Sequence, residues 1–549
     1  MKNYLYIILL SMSFIVGSCS YDLIETIDTP QVTTEGNARP DYSFSEGPTV
    51  LGKDISIPYS IDNLRAAFDL LPQDTKSGYT IEDIQPTHYY IKFSPTDGFQ
   101  LDLLRNTPGL ILSEVPLDRE IVVGGIYYHD PELPMSQPTY QYSTLEIEYW
   151  QSFLDTLSVD YEVLIEAYIP EEITSTKTIN NITLLPNSLY SALLKESYRI
   201  TGNEYDILPE TKGSQWCPTG RIRAYDNIVN GYVPIQDVVV RGTHFLTIKE
   251  TTTDANGYFA LPLFNGSVTL KVVWEGDQWD VRYGDYGQAV YEGPQLSSGT
   301  WFLDIMSSQT GSLNLSAVFR AVRRVYMGFN YGFSRPNYNR RLKIAYIHDV
   351  LDDNKTGEYL PSGGMGIGPD IRIAGKNSDN TWRQPSLLFS TTCHELGHAT
   401  HNTNASSIYE SSEQRVKESW AIFHQYLCTI KEYTDLNVVS NLWTYSNGLI
   451  EPDIYYNFQL FDSSINYFQT YTSLFVDIYD TYNQHDFCSS YINDVISGFY
   501  VPSLESVVFG KTSFAAIKQH FLNLVNTTGY EFGITVESVN ELFSIYDGF

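Results

Sequence analysis

The chain has 549 residues, too many for one hydrophobic core, and its length predicts roughly three or four domains. Hydrophobic residues make up 42% of the sequence and aromatic residues 14%, a composition that excludes a wholly disordered protein. The net charge of −31 argues against a nucleic-acid partner, because binding to phosphates requires a basic surface.

The N-terminus has the pattern of a secretory signal. Lys2 precedes an apolar run from Tyr4 to Val16, which is too short for a stable membrane-spanning helix. The cysteine after the following Gly-Ser pair resembles a bacterial lipoprotein cleavage site, at which Cys19 would be lipidated. An ordinary signal peptide with an incidental cysteine is the alternative. We expect a signal peptide at 1–18, a tether at 19–48, and a body held at the cell envelope by lipid alone, at the outer membrane and facing outward.

The four other cysteines are Cys217, Cys393, Cys428 and Cys488. Their wide spacing predicts no disulfide framework, and none of them falls in a C-x-x-C zinc pattern. We expect buried free thiols, and a Cys393–Cys428 bridge in an oxidising compartment stays open.

Residues 49–205 mix short β-like runs with helical runs and predict an α+β domain. The β-like runs lie at 88–93 and 120–123, and the helical runs at 61–71 and 189–198. His88 lies in a β-like run beside aromatic residues, so we expect it to have a structural role.

Residues 217–300 predict a small β-sandwich, because short alternating runs are separated by turn sequences such as Asn230-Gly231 and Asp254–Gly257. The segment resembles the carboxypeptidase regulatory-like (transthyretin-like) domains at 220–222, 234–240 and 253–259. That resemblance implies a spacer without catalytic residues.

Residues 305–549 predict a mainly helical domain with a small sheet. Helical patterns cover 312–327, 384–402 and 411–434, and strand patterns cover 341–347 and 369–374 on either side of a Gly-rich loop. The predicted fold class of the whole chain is therefore multidomain α+β.

The sequence CHELGHATH, residues 393–401, contains three of the chain's 10 histidines. On a helix, His394 and His398 lie on one face and can hold one metal ion through their imidazole nitrogens. Glu395 lies on the flank of that face, where it can reach an activated water without binding the ion. Flanking apolar residues predict a core helix, on which unpartnered histidines would be costly. The pattern therefore predicts a Zn²⁺ site with Glu395 as general base.

A catalytic zinc also needs a third protein ligand. The metzincin pattern would place Gly three residues and His six residues after His398, but His401 and Asn404 stand there. We expect His401 either to face solvent or to contact a ligand side chain rather than the ion.

Glu418, in the sequence RVKESWAIFHQYL, follows His398 by twenty residues. This spacing resembles the gluzincins, the thermolysin-like and aminopeptidase-like zinc peptidases, and implies that Glu418 completes a His-His-Glu ligand set. Small residues at Ser419 and Ala421 would let the two helices approach closely. Glu410 and Glu413 are the alternative ligands.

The other groups of the cleft are predicted less specifically. The resemblance implies a sheet edge beside the active-site helix, and the segment 368–375 is a candidate for that edge, with an ordinary central strand as the alternative. Tyr471, Tyr482 and His485 are candidates for stabilising an oxyanion, and the sequence selects none of them. Asp477 and Asp480 could orient an imidazole, but surface acids on a helix are the preferred interpretation.

The whole chain resembles zinc metallopeptidase lipoproteins of the Bacteroidetes type. The resemblance lies in the order of its parts: a lipoprotein signal, an α+β segment, a sandwich, and then the sequences CHELGHATH and ESWA. This resemblance implies zinc-dependent hydrolysis of peptides or proteins, glycoproteins included. Two other interpretations stay open. One is a surface lipoprotein that captures glycan or protein and has a structural or vestigial zinc site. The other is a zinc hydrolase acting on a glycopeptide or cell-wall bond.

Overall fold

The computed structural model describes residues 43–76, 78–173, 184–206, 215–328, 331–361, 367–438, 471–480, 496–528 and 534–547. These residues form a mixed α+β structure with several sheets and 12 α-helices. The predicted signal peptide and Cys19 lie outside this range. No described helix combines the length and the apolar character needed to cross a membrane.

The helices, numbered in chain order, are α1 Ile61–Leu70, α2 Gly98–Arg105, α3 Ile147–Leu154, α4 Asn187–Ile200, α5 Thr310–Tyr326, α6 Pro385–Asn404, α7 Ser406–Ser411, α8 Gln414–Asp435, α9 Leu474–Tyr479, α10 Val501–Val508, α11 Phe514–Thr528 and α12 Val536–Asp547. The strands are β1 Ser43–Phe44, β2 Val50–Asp54, β3 His88–Ser94, β4 Arg119–Gly124, β5 Gln141–Glu146, β6 Asp160–Ala167, β7 Thr219–Asp226, β8 Gly231–Pro234, β9 Val239–His244, β10 Thr247–Thr252, β11 Tyr258–Ala260, β12 Val268–Val273, β13 Glu275–Gly276, β14 Trp279–Tyr283, β15 Gly287–Gln288, β16 Val290–Leu296, β17 Thr300–Ile305, β18 Leu342–Ile347, β19 Gly357–Tyr359 and β20 Ile371–Ala374.

Most of the predicted helices and strands are present, with their ends shifted by a few residues. The predicted helix at 411–434 differs, because α7 ends at Ser411 and α8 begins at Gln414. Ser412, between them, has an extended backbone (φ −73°, ψ 144°), which breaks the helical hydrogen bonding.

The first part of the chain forms two three-stranded sheets, in the orders β1-β4-β2 and β5-β3-β6. His88 is buried in β3, and its Nδ1 lies 2.8 Å from the Thr87 hydroxyl. Burial lowers the pKa of His88 to about 4, so this histidine is a neutral core residue, consistent with the structural role expected for it.

Two further sheets share one hydrophobic core. Their orders are β10-β9-β12-β16 and β11-β7-β17, and β8 also pairs with β7. Alternate residues of the strands are buried, for example Ile222 and Ala224 in β7 and Leu270 and Val272 in β12. Gly257, in the predicted turn before β11, has φ +79°, a conformation that favours glycine.

The fifth sheet crosses the predicted boundary between the second and third segments. Its order is β13-β14-β18-β20-β19, and β15 also pairs with β14. The strands β13 to β15 come from the range 275–288, but β14 pairs in parallel with β18, which begins at Leu342. The chain segments on either side of residue 300 therefore build one sheet together.

Opposite faces of this fifth sheet contact different partners, because side chains alternate along its strands. On one face, Trp279 packs against Phe319 of α5. On the other face, Asp102 of α2 accepts hydrogen bonds from Arg282 (2.8 Å) and Lys343 (2.6 Å). These groups are buried, and Asp280 also accepts from Arg282 at 2.8 Å, so two carboxylates compensate the two cations at the centre of this contact.

The strand β19 is the outermost described strand of the fifth sheet on the side of α6. The strand β20, which contains the predicted edge segment, pairs with β18 on one side and β19 on the other. Of the two alternatives for segment 368–375, the structure therefore has the central strand and not the edge, because the short strand Gly357–Tyr359 lies outside it.

Candidate metal centre

The helices α6 and α8 cross closely at a glycine. A Cβ atom on Gly397 would lie 3.0 Å from the Ala421 Cα atom and 3.0 Å from the His424 Cβ atom. The prediction that Ala421 permits a close approach agrees with this contact. The hydroxyl of Ser419 is 2.8 Å from the Thr472 hydroxyl. Gly397, which sequence reasoning did not single out, provides the other half of the crossing.

This crossing brings the three predicted ligands together. The Nε2 atom of His394 lies 3.1 Å from Oε2 of Glu418, and Nε2 of His398 lies 3.3 Å from the same oxygen. All three ligand atoms lie within 4.8 Å of one another. In a tetrahedral zinc site, metal–ligand bonds of about 2.0–2.2 Å separate neighbouring ligand atoms by roughly 3.3 Å. The two measured distances match that separation.

The alternative acidic ligands do not meet the histidines. Glu410 is exposed. Glu413 accepts a hydrogen bond from the backbone N–H of Phe514 at 3.3 Å, with the guanidinium of Arg415 at 3.7 Å. Among the three acids considered, the structure places Glu418 alone beside His394 and His398.

The second ring nitrogen of His394 has a specific partner. Gln425 donates from Nε2 to the Ser390 hydroxyl at 2.6 Å, so its amide oxygen faces Nδ1 of His394 at 3.1 Å. An amide oxygen only accepts hydrogen bonds, so Nδ1 carries the proton and a neutral imidazole presents a lone pair at Nε2. That lone pair would face a carboxylate oxygen, so the contact needs positive charge between the two atoms, supplied by a proton on Nε2 or by a metal ion.

A metal ion fits this requirement for both histidines. The Tyr409 hydroxyl lies 3.4 Å from Nδ1 of His398 and can accept from it, which leaves Nε2 free to bind a metal. Two imidazoles and one carboxylate form a donor set found in catalytic zinc sites. Burial lowers the pKa of His394, but the hydrogen bond with Glu418 and the charge of Glu395 raise it more, so this pocket favours positive charge.

Glu418 is ionised in this environment. Burial alone would raise the pKa of Glu418, but its hydrogen bonds with His394 and His398 lower it well below the ordinary value. Its second oxygen accepts a hydrogen bond from Gln414. The carboxylate is thus held by groups on both helices.

Glu395 follows His394 on α6 and is buried against the sheet edge. A Cβ atom on Gly357, in β19, would lie 2.7 Å from Oε1 of Glu395. Burial raises the pKa of Glu395. The carboxyl group therefore occupies the space left by the missing side chain of Gly357, between the edge strand and the metal-binding helix.

Arg383 links the strands to α6 near Glu395. Its guanidinium donates to the backbone oxygen of Thr356 at 2.9 Å and to the Thr391 hydroxyl at 2.6 Å. Burial lowers the pKa of Arg383 to about 10, and the negative charge of Glu395 opposes that shift. Arg383 thus fixes the spacing of the elements on either side of Glu395.

Burial rules out two expectations for this region, the solvent-facing alternative for His401 and the surface position of Asp477. His401 is fully buried, not solvent-facing, and its ring stacks on Phe509 at 5.1 Å. Asp477 is not a surface acid, because it is buried and accepts hydrogen bonds from Ser473 and Tyr546. Both residues lie on helices whose outer faces are covered by the C-terminal helices, and the sequence pattern gave no sign of this covering.

The oxyanion candidates have different outcomes. The ring centre of Tyr471 lies 6.3 Å from that of His394. Tyr482 and His485 lie outside the described residues. Sequence reasoning missed Gln425 and Tyr409, for which the available signal was helical spacing, since Gln425 lies seven residues, or two turns, after Glu418.

Comparisons with family models, with curated proteins and with solved structures returned no match for this chain. The geometry of the site is therefore the basis for any functional conclusion. The family resemblance of the sequence stays a prediction.

We predict that Gln425→Leu weakens metal binding by about 10- to 100-fold, because Nδ1 of His394 loses the acceptor that fixes its tautomer and ring orientation. The dissociation constant can be measured by competition between the protein and a chromophoric zinc chelator. Gln519→Leu, at an exposed position on α11, is the matched control and should leave the constant unchanged. An unchanged constant in Gln425→Leu would contradict the role assigned to Gln425.

Proposed function

We propose that this chain is a zinc-dependent peptidase in which His394, His398 and Glu418 hold the ion and Glu395 is the general base. The observation that carries the proposal is that three ligand atoms from α6 and α8 meet at one point. The buried carboxylate of Glu395 lies on α6, the helix that also carries both histidines. Zinc is the proposed ion because it accepts imidazole and carboxylate ligands and, with three protein ligands, keeps one position open for chemistry.

The chain's own groups divide the proton transfers of hydrolysis. When bound, the ion supplies Lewis acidity to a water molecule and to the substrate carbonyl. Glu395 accepts the proton of the attacking water and returns it to the nitrogen that leaves as an amine. Its burial keeps other water away from the carboxylate during this exchange.

Tyr471 is the candidate for stabilising the oxyanion that develops on the carbonyl oxygen. Its ring lies beside His394, and the neighbouring Thr472 bonds to Ser419, the residue after Glu418. A phenol beside the ligands is a hydroxyl donor of the kind that stabilises negative charge on a reacting oxygen, which supports the choice of Tyr471.

The substrate proposed here is an extended peptide that pairs with β19. This strand is the outermost described strand of its sheet, and its first residue contacts Glu395. Backbone hydrogen bonds to an edge strand would hold a peptide of varied sequence across the metal centre.

We also propose the finer domain division: a gluzincin-like peptidase domain at 305–549, a transthyretin-like sandwich at 217–300 and an α+β domain at 49–205. Two facts qualify the boundaries. The strand β17 continues one of the two sheets of the sandwich core to Ile305, and β13 to β15 belong to the sheet of the peptidase domain. Lipidation at Cys19 and attachment to the outer membrane are part of the same proposal.

The proposal is tested with the zinc-loaded protein and a library that contains both peptides and glycopeptides. We expect cleavage products by mass spectrometry, and a rate about 100- to 10,000-fold lower for Glu395→Gln with its zinc content unchanged. Glu410→Gln, at an exposed position, is the control. Undiminished cleavage by Glu395→Gln would contradict the assigned base, and zinc binding without cleavage of any library member would favour a capture protein.

We predict that Gly357→Ala lowers the catalytic rate while zinc binding is retained. The added methyl group would lie 2.7 Å from Oε1 of Glu395 and 2.8 Å from Cγ2 of Thr391, so the carboxylate has to move. A displacement of about 1 Å costs on the order of 100-fold in rate. Gly231→Ala, whose nearest neighbours lie 3.9 Å away, is the control, and a Gly357→Ala variant as active as it would contradict the placement of Glu395.

A further inference from the structure

Two cysteines face each other between the helices that carry the proposed ligands. Cys393 on α6 and Cys428 on α8 are both fully buried, and each lies about one helical turn from a residue of the crossing contact between Gly397 and His424. His424 joins them, with Nδ1 2.8 Å from the backbone oxygen of Cys393 and 3.9 Å from Sγ of Cys428. Both thiols are in the reduced state in the structure.

The two cysteines lie close in sequence to residues of the proposed metal centre. Cys393 directly precedes His394, and Cys428 lies three residues, almost one helical turn, after Gln425, which holds Nδ1 of His394. All three proposed ligands lie on the same two helices. A covalent link at this position would therefore hold the helices together without a metal ion.

Without such a link or an ion, packing and hydrogen bonds alone hold the ligand set together. A buried carboxylate and two imidazoles converge on one point, where the carboxylate lies within hydrogen-bond distance of both rings. An ion has to replace these hydrogen bonds, so a fixed spacing of the two helices would keep the three ligands in place for it. The thiol pair lies at the same interface, and the proposed reaction makes no other use of it.

We propose that Cys393 and Cys428 form a disulfide that fixes α6 against α8 and prepares the ligand set for its ion. The two thiols give up two protons and two electrons to an external disulfide such as oxidised glutathione, which is reduced to two thiols, and an Sγ–Sγ bond forms. Cys428 is the attacking thiol, because the imidazole of His424 lies 3.9 Å from its sulfur and can accept its proton. The link to metal affinity rests on the proposed metal centre.

The test compares the EDTA-treated protein refolded with oxidised glutathione and the same protein kept in a monothiol-free reductant such as a phosphine. We expect non-reducing peptide mapping to show a Cys393–Cys428 cross-linked peptide pair. We also expect the metal-free oxidised form to unfold about 3 °C or more above the reduced form. Zinc alone, titrated into both forms, should bind about tenfold more tightly to the oxidised form.

Cys217→Ala is the matched control and should keep all three differences between the oxidised and reduced forms, because Cys217 bonds to the backbone oxygen of Leu261 in the sandwich segment. Cys428→Ala should lose them, and the reduced wild-type protein provides the same comparison if that variant does not fold. The proposal is overturned if no 393–428 peptide pair forms while ribonuclease A reoxidises in the same buffer, or if the pair forms without a change in unfolding temperature. Zinc binding to neither form, with the cross-link and its thermal effect present, would overturn the metal centre and support the disulfide.

Discussion

The close crossing of α6 and α8 at Gly397 is the contact on which the candidate site depends. The crossing is close because Gly397 has no side chain and meets the small residue Ala421. It places one oxygen of Glu418 at 3.1 and 3.3 Å from two imidazole nitrogens. This convergence in a buried place is favourable only with positive charge between the groups, from imidazole protons or a metal ion, so the packing of two helices creates a preference for positive charge there.

The rest of the described chain supports this crossing through buried charges. Arg320 on α5 bonds both to Asp226 at the end of β7 and to Glu432 on α8, at 2.9 and 2.8 Å. Asn227, in the turn after β7, accepts a hydrogen bond from the backbone N–H of Ser386 in the first turn of α6, at 3.1 Å. The Tyr433 hydroxyl of α8 also donates to Asp226, at 3.0 Å, so this end of β7 and its turn contact all three central helices. The resemblance to regulatory-like domains implies only a spacer. In the structure, the sandwich segment also helps to position both helices that carry the proposed ligands.

The sequence was sufficient to predict the motif, because His394 and His398 follow from helical spacing alone and Glu418 from a known separation between ligands. It was not sufficient for the surroundings of these residues. The edge strand at Gly357 is short and carries no alternating pattern, so the longer apolar run of β20 was the candidate that the sequence offered. His401 and Asp477 are buried by helices that are distant in sequence. The strands β14 and β18 pair in parallel across 58 intervening residues, from 284 to 341. Local patterns do not contain such long-range pairings.

The most direct test of the metal centre is the zinc content of the purified protein after dialysis against zinc, measured beside four variants. With the ligand set His394, His398 and Glu418, we expect about one zinc ion per chain in the wild-type protein. His394→Ala should contain none, Glu418→Ala should contain little or none, and Glu410→Ala and Glu413→Ala should keep the wild-type value. A wild-type protein that binds no zinc, or a Glu418→Ala variant that keeps a full ion, would contradict the proposal that two helices meeting at Gly397 build a metal site.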